Sequence, residues 1–402
     1  MHLNRHVRQE QPKDSTRVLL ISLILPRSTY KHGEAVCRRH IDTILTSTCI
    51  AIVLTTALFN VSTSWGYSST GASSSFADPD TAKILVFGSH DRQLYAVHVE
   101  TGSEIWKFET GGWVHSPTIA NGTVYFGSTD EHLYAVDIRT GSESMKFKTG
   151  GSVSSAPLVA DGRVYFGSFD GRLYALDMHT GTKHWTIELE RPISSSPVIS
   201  DGIIYFAGHD GALYAVDTRT GEKQWSFESG GWVVSSPALA DKLVFFGSFD
   251  SYLYAIHKES GRKAWKFRTG GILSGTPIIS NGTIYVGSHD GNFYAIDMNS
   301  GEQVWKHKTD GWIVGSSAAA DGILCFGSHD SRLHAVNMHS GEQHWSFRTD
   351  AAIVSSPVIH DGIVFFGSND YHLYAVELQT GTMKWKFATG GAISSSSALS
   401  IQ

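Results

Sequence analysis

From about residue 83 onward, short apolar runs alternate with turn residues along the chain. In the stretch WVVSSPALADKLVFFGSFDSYLYAIHKESGRKAWKFRTGG (232–271), four runs of β-branched and aromatic residues are separated by polar or glycine-containing segments. Such a pattern predicts four short strands, here named A to D. Most A–B turns carry Asn-Gly or Asp-Gly, the dipeptides preferred in two-residue hairpins. These are Asn121-Gly122, Asp161-Gly162, Asp201-Gly202, Asn281-Gly282, Asp321-Gly322 and Asp361-Gly362, with Asp241-Lys242 as the exception.

The four-strand unit recurs about every 40 residues. It is marked by a glycine after Thr or Ser, at Gly102, Gly141, Gly181, Gly221, Gly261, Gly301, Gly341 and Gly381. A tryptophan follows four residues later in seven units, at Trp106, Trp185, Trp225, Trp265, Trp305, Trp345 and Trp385, whereas the second unit has Met145. This period and composition predict an all-β, eight-bladed β-propeller of four-stranded antiparallel blades over residues 83–402.

The ends of the repeat predict how the ring closes. The first unit begins at strand B, near Ile84, and the chain ends with a lone strand A from Ala392. Because unpaired sheet edges are avoided, we expect the C-terminal strand to complete the first blade. Strand A is rich in Ser and Gly, as expected where eight backbones crowd around one axis.

Candidate contact residues lie on the face that holds the B–C turns and the D–A connections. The B–C position holds His90, Thr129, Phe169, His209, Phe249, His289, His329 and Asn369, each followed by an aspartate that we interpret as a turn residue. The histidines should stand too far apart to share a metal ion, so a surface or turn role is favoured for them. Strand A opens with Trp113, Trp232 or Trp312 in only three blades. These tryptophans and His90, His209, His289 and His329 are the candidate partner or ligand contacts, with filling of the channel as the alternative for the tryptophans.

Charge and cysteine content limit the class of partner and the possible disulfide bonds. From Lys83 onward there are 24 Lys/Arg and 32 Asp/Glu, a net charge of −8 (24 − 32), which disfavours a nucleic-acid partner. Cys37 and Cys49 precede the repeats, so the third cysteine, Cys325, has no partner within them. Cys325 stands where other repeats carry Tyr or Phe and is predicted to be buried.

An apolar run at 44–59, directly after Arg38, Arg39 and His40, is typical of a cleaved signal peptide. A single membrane anchor is the alternative, and a twin-arginine signal is a weaker one. The long preceding extension suggests a start site nearer Val36. We therefore expect an N-terminal extension (1–64), a flexible linker (65–82), and an exported protein that is periplasmic or extracellular.

The segment AVDTRTGEKQW (Ala215–Trp225), with variants in all eight units, resembles the tryptophan-docking repeat of pyrroloquinoline-quinone (PQQ) dehydrogenases and their non-catalytic relatives. The resemblance covers about 320 residues. It implies that each tryptophan packs between the backbone of the neighbouring blade and an alanine of its own repeat, here Ala96, Ala135, Ala175, Ala215, Ala255, Ala295, Ala335 and Ala375. The docking tryptophans are therefore interpreted as structural.

This resemblance leaves three functions open. The first is a protein- or ligand-binding scaffold like the short, non-catalytic family member BamB, in envelope or outer-membrane protein assembly; the lipobox cysteine of such proteins is missing here. The second is a dehydrogenase with PQQ, calcium and an aspartate base, which the short connections and the absence of adjacent cysteines disfavour. A sensor or carbohydrate-binding ectodomain is the third. We expect the scaffold, with no catalytic residues and no cofactor.

Overall fold

The computed structural model of the protein describes residues 83–401, all of whose regular elements are strands. The predicted signal peptide or anchor, the linker, Cys37 and Cys49 lie outside the described residues. Within 83–401, no helix is both long and apolar enough to cross a membrane.

The 32 strands form eight four-stranded antiparallel sheets. Blade 1 contains β1 (Lys83–Gly88), β2 (Gln93–His98), β3 (Glu104–Glu109) and the last strand, β32 (Ala398–Ile401). Blades 2 to 4 contain β4 (Thr118–Ala120), β5 (Thr123–Gly127), β6 (His132–Asp137), β7 (Glu143–Lys148); β8 (Leu158–Ala160), β9 (Arg163–Gly167), β10 (Arg172–Asp177), β11 (Lys183–Glu188); β12 (Val198–Ser200), β13 (Ile203–Ala207), β14 (Ala212–Asp217) and β15 (Lys223–Glu228). Blades 5 and 6 contain β16 (Ala238–Ala240), β17 (Leu243–Gly247), β18 (Tyr252–His257), β19 (Lys263–Arg268); β20 (Ile278–Ser280), β21 (Thr283–Gly287), β22 (Asn292–Asp297) and β23 (Gln303–Lys308). Blades 7 and 8 contain β24 (Ser317–Ala320), β25 (Ile323–Ser328), β26 (Arg332–Asn337), β27 (Gln343–Arg348); β28 (Val358–His360), β29 (Ile363–Gly367), β30 (His372–Glu377) and β31 (Met383–Ala388).

Blade 1 closes the ring as predicted. Its strand order is β3-β2-β1-β32, and β32 pairs antiparallel with β1 from Lys83 opposite Ile401 to Val86 opposite Ala398. The eight-bladed fold and its closure by the C-terminal strand are therefore confirmed.

The docking tryptophans join neighbouring blades. Trp225 pairs with Ala215 of its own blade, donates its indole N–H to the Lys258 carbonyl of the next blade (2.8 Å), and lies against Gly261. A Cβ at Gly261 would stand 2.8 Å from the indole ring, and the residue has φ +66°, so glycine is required there. Across the closure, Trp385 donates in the same way to the Val99 carbonyl (3.0 Å). These contacts are of the kind that the family resemblance implied for the docking tryptophans.

Strand A lines the channel with small hydroxyl residues. The Ser155 hydroxyl bonds both the amide and the carbonyl of Gly167 on strand B (2.8 and 3.0 Å). One residue further on, the Ala156 amide donates to the Ser196 hydroxyl (2.7 Å), and the Ser196 amide donates to Ser236 (2.8 Å). Each of these amide–hydroxyl bonds joins adjacent blades, so hydroxyl groups replace backbone pairing where the strands are closest.

Aromatic and aliphatic side chains fill the space between the blades. Tyr125 of blade 2, for example, packs in one cluster with Val164 and Phe166 of blade 3. Cys325 is fully buried in the cluster between blades 7 and 8, as predicted. Burial raises the pKa of its thiol, so this cysteine behaves as a small apolar residue.

Candidate functional site

An aspartate occupies the B–C turn of each blade. In blade 2, Asp130 accepts hydrogen bonds from the His132 amide (3.2 Å), the Tyr134 hydroxyl (2.7 Å) and the Gly111 amide of the D–A connection (2.7 Å). Burial alone would raise the pKa of Asp130, but the hydrogen bonds outweigh burial and lower the pKa below its ordinary value. The predicted turn role is confirmed here, and the aspartate also holds the D–A connection in place.

Three of the four candidate histidines turn inward from the B–C turn to strand A. His90, His209 and His289 place Nε2 at 2.8, 2.7 and 2.9 Å from the hydroxyls of Ser394, Ser194 and Ser274, respectively. His329 has Val314 at the matching position, and its Nε2 has no hydrogen-bond partner within residues 83–401. His209 lies in the B–C turn, one of the two roles expected for it, but it is only 7% exposed because its ring turns toward Ser194.

Burial keeps these inward-facing histidines neutral. It lowers the pKa of His90, His209 and His289 to about 4 in each case, with a small opposing effect from the aspartate that follows each histidine. Burial lowers the pKa of His329 as well. The imidazoles of His90, His209 and His289 therefore enter their serine hydrogen bonds as neutral rings at pH 7.

Each candidate tryptophan stacks on one of these histidines. The ring centroids are 4.3 Å apart for His90–Trp113, 5.6 Å for His209–Trp232 and 5.4 Å for His289–Trp312, with interplanar angles of 6°, 15° and 9°. The tryptophan lies in the D–A connection, a few residues before strand A of the blade that follows its histidine. The sequence indicated both sets of residues as contacts, but their pairing was not predicted. A signal existed, since each tryptophan follows its histidine by 23 residues (90 to 113, 209 to 232, 289 to 312).

The indoles stand at the rim of the channel. Trp232 is 37% exposed and Trp312 is 51% exposed, whereas Trp113 is half-buried. Tyr371, in the B–C turn of blade 8, is also 51% exposed on this face. The exposure of Trp232 and Trp312 does not fit side chains that fill the channel.

A cleft of about 440 Å³ opens beside Trp312 at the junction of blades 6 and 7. Its walls include Trp312 and the two histidine rings that flank it, His289 and His329. Asp310 adds a carboxylate where most D–A connections have glycine, and the Lys308 ammonium, which donates to the Asp290 carbonyl, adds a positive charge. The cleft therefore combines an aromatic surface with one negatively and one positively charged group.

His115 of blade 2 is a channel residue that the sequence analysis did not single out. It is fully buried, and neither ring nitrogen has a hydrogen-bond partner within residues 83–401. Burial, with a smaller effect of His90, lowers its pKa to about 3. The shortened segment GGWVHSP was the available signal, because losing one residue puts His115 where other blades have Ser or Val.

An eight-bladed ring held by docking tryptophans defines the class of protein, a β-propeller of the PQQ type. Within this class, the chain belongs to the family described as "Outer membrane protein assembly factor BamB", whose sequence profile matches residues 62–266, 170–312 and 294–401. A comparison with curated protein sequences gives no match.

Solved structures share the fold. BamB from Moraxella catarrhalis is 18% identical with a TM-score of 0.61, over 73% of this chain and 91% of that chain. A europium-containing methanol dehydrogenase is 14% identical with a TM-score of 0.65, over 72% and 81%. The computationally designed Ika8 protein is 18% identical with a TM-score of 0.64, over 70% and 89%. Since these three proteins differ in kind, the shared ring carries no function by itself.

The described residues do not fit a site for calcium and PQQ. Within residues 83–401, no three His, Cys, Asp or Glu side chains are placed to share a metal ion. The adjacent cysteine pair of the family enzymes is also missing, since Cys325 is the one cysteine of this range.

Proposed function

We propose that the protein is an exported scaffold that binds a protein partner at the channel mouth, in the assembly of outer-membrane or other envelope proteins. The observation that carries this proposal is a set of rim indoles stacked on histidines that are themselves hydrogen-bonded to strand A. The repeat does not require tryptophan there, because five blades have Ser, Pro, Ile or Ala instead. The family description supports a role in protein assembly.

Rigidity makes these side chains suitable contacts. Aromatic residues dominate the binding energy of many interfaces, and a side chain that is already fixed loses little conformational entropy on binding. Trp232 touches both His209 and Phe249, and Trp312 touches both His289 and His329. The net charge of −8 over residues 83–402 favours a partner with a basic surface.

Site-specific photo-crosslinking in the source cells tests the proposal. A photoreactive amino acid at position 312 of the full chain should give a discrete adduct with one envelope protein. The same group at Val304, which is 54% exposed on the outer strand β23, is the matched control and should not give that adduct. Identical adducts from both positions, or none from position 312, would contradict the proposal.

The competing enzyme function is tested separately with purified protein. A quinoprotein dehydrogenase should acquire quinone absorbance and dye-linked alcohol oxidation after addition of PQQ and calcium. We expect neither change, because the metal-ligand set is missing within residues 83–401. Stoichiometric quinone absorbance would contradict the scaffold proposal and favour the enzyme.

A further inference from the structure

Blade 5 departs from the repeat at two positions that lie side by side. In the A–B turn, the residue that follows Asn or Asp is Gly in the six other internal turns, but it is Lys242 in blade 5. The residue after strand C is apolar in six blades (Val99, Ile138, Met178, Met298, Met338 and Leu378) and threonine in blade 4, but it is Lys258 in blade 5. The Lys258 amide donates to the Lys242 carbonyl (2.8 Å), which brings the two departures together.

The side chain of Lys258 crosses from blade 5 to blade 4. Its main chain is held because its carbonyl accepts the Trp225 indole N–H. Its ammonium lies 3.2 Å from the Ser200 hydroxyl and 3.8 Å from the Asp201 carboxylate. The Lys258 side chain is 15% exposed and that of Asp201 is 87% exposed. An ammonium has three N–H donors, and one hydroxyl within hydrogen-bond distance leaves donors for a ligand.

A cleft of about 440 Å³ lies beside this ammonium, at the ends of the blades that carry the A–B and C–D turns. Ile203, Tyr205 and Trp225 line it with apolar surface. The exposed carboxylates of Asp201, Asp241 and Glu259 also line it, together with Lys242 and Gln224. Met178 and Met338, at the positions equivalent to Lys258, are each only 6% exposed. A buried apolar side chain is thus replaced by an ammonium at this junction.

We propose that this cleft binds a small zwitterion of the amino acid or dipeptide class with an apolar side chain. The ligand carboxylate bonds the ammonium of Lys258, the ligand ammonium faces the carboxylates of Asp201 and Glu259, and the apolar side chain packs on Tyr205 and Trp225. Three carboxylates against two ammonium groups disfavour a purely anionic ligand. A purely apolar ligand would use none of the remaining N–H donors of the Lys258 ammonium. The volume suits a ligand of this size.

Isothermal titration of the full chain tests the site with L-phenylalanine and glycyl-L-phenylalanine. Phenylalaninamide lacks the carboxylate and 3-phenylpropionate lacks the ammonium. Each should bind at least about tenfold more weakly than the better zwitterion, since each loses a charge-assisted contact. Equal affinity for 3-phenylpropionate, or no binding of either zwitterion at millimolar concentration, would overturn the proposal.

Variants separate ligand binding from blade-to-blade structure. Lys258→Met restores the residue of blades 3, 6 and 7, so the ring should fold with an unchanged melting temperature and lose zwitterion binding. Lys258→Gln, which keeps a polar side chain without the charge, should also lose binding and serves if the methionine variant does not fold. Lys263→Met in the same blade is the matched control and should bind normally. Normal binding by folded Lys258→Met or Lys258→Gln would refute the site.

Discussion

Replacing Trp225 by Ala tests how the blades are held together. The change removes an indole packed between Ala215 and Gly261 and leaves the Lys258 carbonyl without its indole donor. Large-to-small changes of this kind cost about 3 to 5 kcal/mol. At about 2.1 cal/mol/K per residue, the 319 residues from 83 to 401 have an unfolding entropy of roughly 0.7 kcal/mol/K. The melting temperature should therefore fall by about 4 to 7 °C.

Met145 provides the internal comparison. It occupies the docking place of blade 2, opposite Ala135 and against Gly181, but its thioether has no N–H to donate. Met145→Ala should therefore cost less, about 2 to 3 kcal/mol. Trp225→Phe keeps most of the ring contact and removes only the donor, which isolates the hydrogen bond. Calorimetric unfolding measures all three variants. Equal losses for Trp225→Ala and Met145→Ala would refute the reasoning.

Three further predictions concern the ring closure, the rim and pH. Deletion of Ala392–Gln402 removes β32 and the Ser395 hydrogen bonds to Gly88, so hydrogen exchange should rise throughout the ring and the melting temperature should fall; an unchanged value would exclude this. The triple change of Trp113, Trp232 and Trp312 to Ser should abolish the adduct with the envelope protein, detected with the photoreactive amino acid placed at position 371, and leave the melting temperature nearly unchanged. A large fall in the melting temperature would mean that the indoles fill the channel. Because the pKa values of His90, His209 and His289 are lowered to about 4 in the folded state, stability should fall as pH drops from about 6.5 to about 4. These three residues take up as many as three protons on unfolding, in addition to those taken up by His115 and His329, so changing the three to Gln should make stability from urea denaturation fall less steeply with pH.

The fold could be predicted because the same physical demands recur in each blade. Gly261 and its equivalents need a positive φ beneath an indole, and Asn121 and its equivalents need a positive φ in a tight turn, so both leave a regular mark in the sequence. The closure by β32 followed from counting strands. The turn and docking features are local, so a single sequence shows the turn seven times and the docking glycine eight times.

The sites were harder to predict because they depend on contacts between blades. The stacking of Trp312 on His289 joins residues from two repeats, and only their constant spacing indicated it. Lys258 replaces a residue that is apolar in six other blades, and its proposed role in ligand binding depends on contacts with Ser200 and Asp201 across the blade junction. His115 lies in a segment that is one residue shorter than its equivalents, and the effect of this deletion on the channel wall is visible only in three dimensions. The role proposed for the rim residues remains a prediction.

The pairing of β1 with β32 has a consequence for biosynthesis. Blades 2 to 8 are each built from four strands consecutive in sequence, so each can form as soon as its own segment has been synthesised. Blade 1 must wait, because its innermost strand, β32, follows the strands of all the other blades in the sequence. Until then, β1 exposes an unpaired edge that can recruit another strand. A nascent chain therefore needs a chaperone, or delayed folding until β32 has been synthesised, to protect that edge.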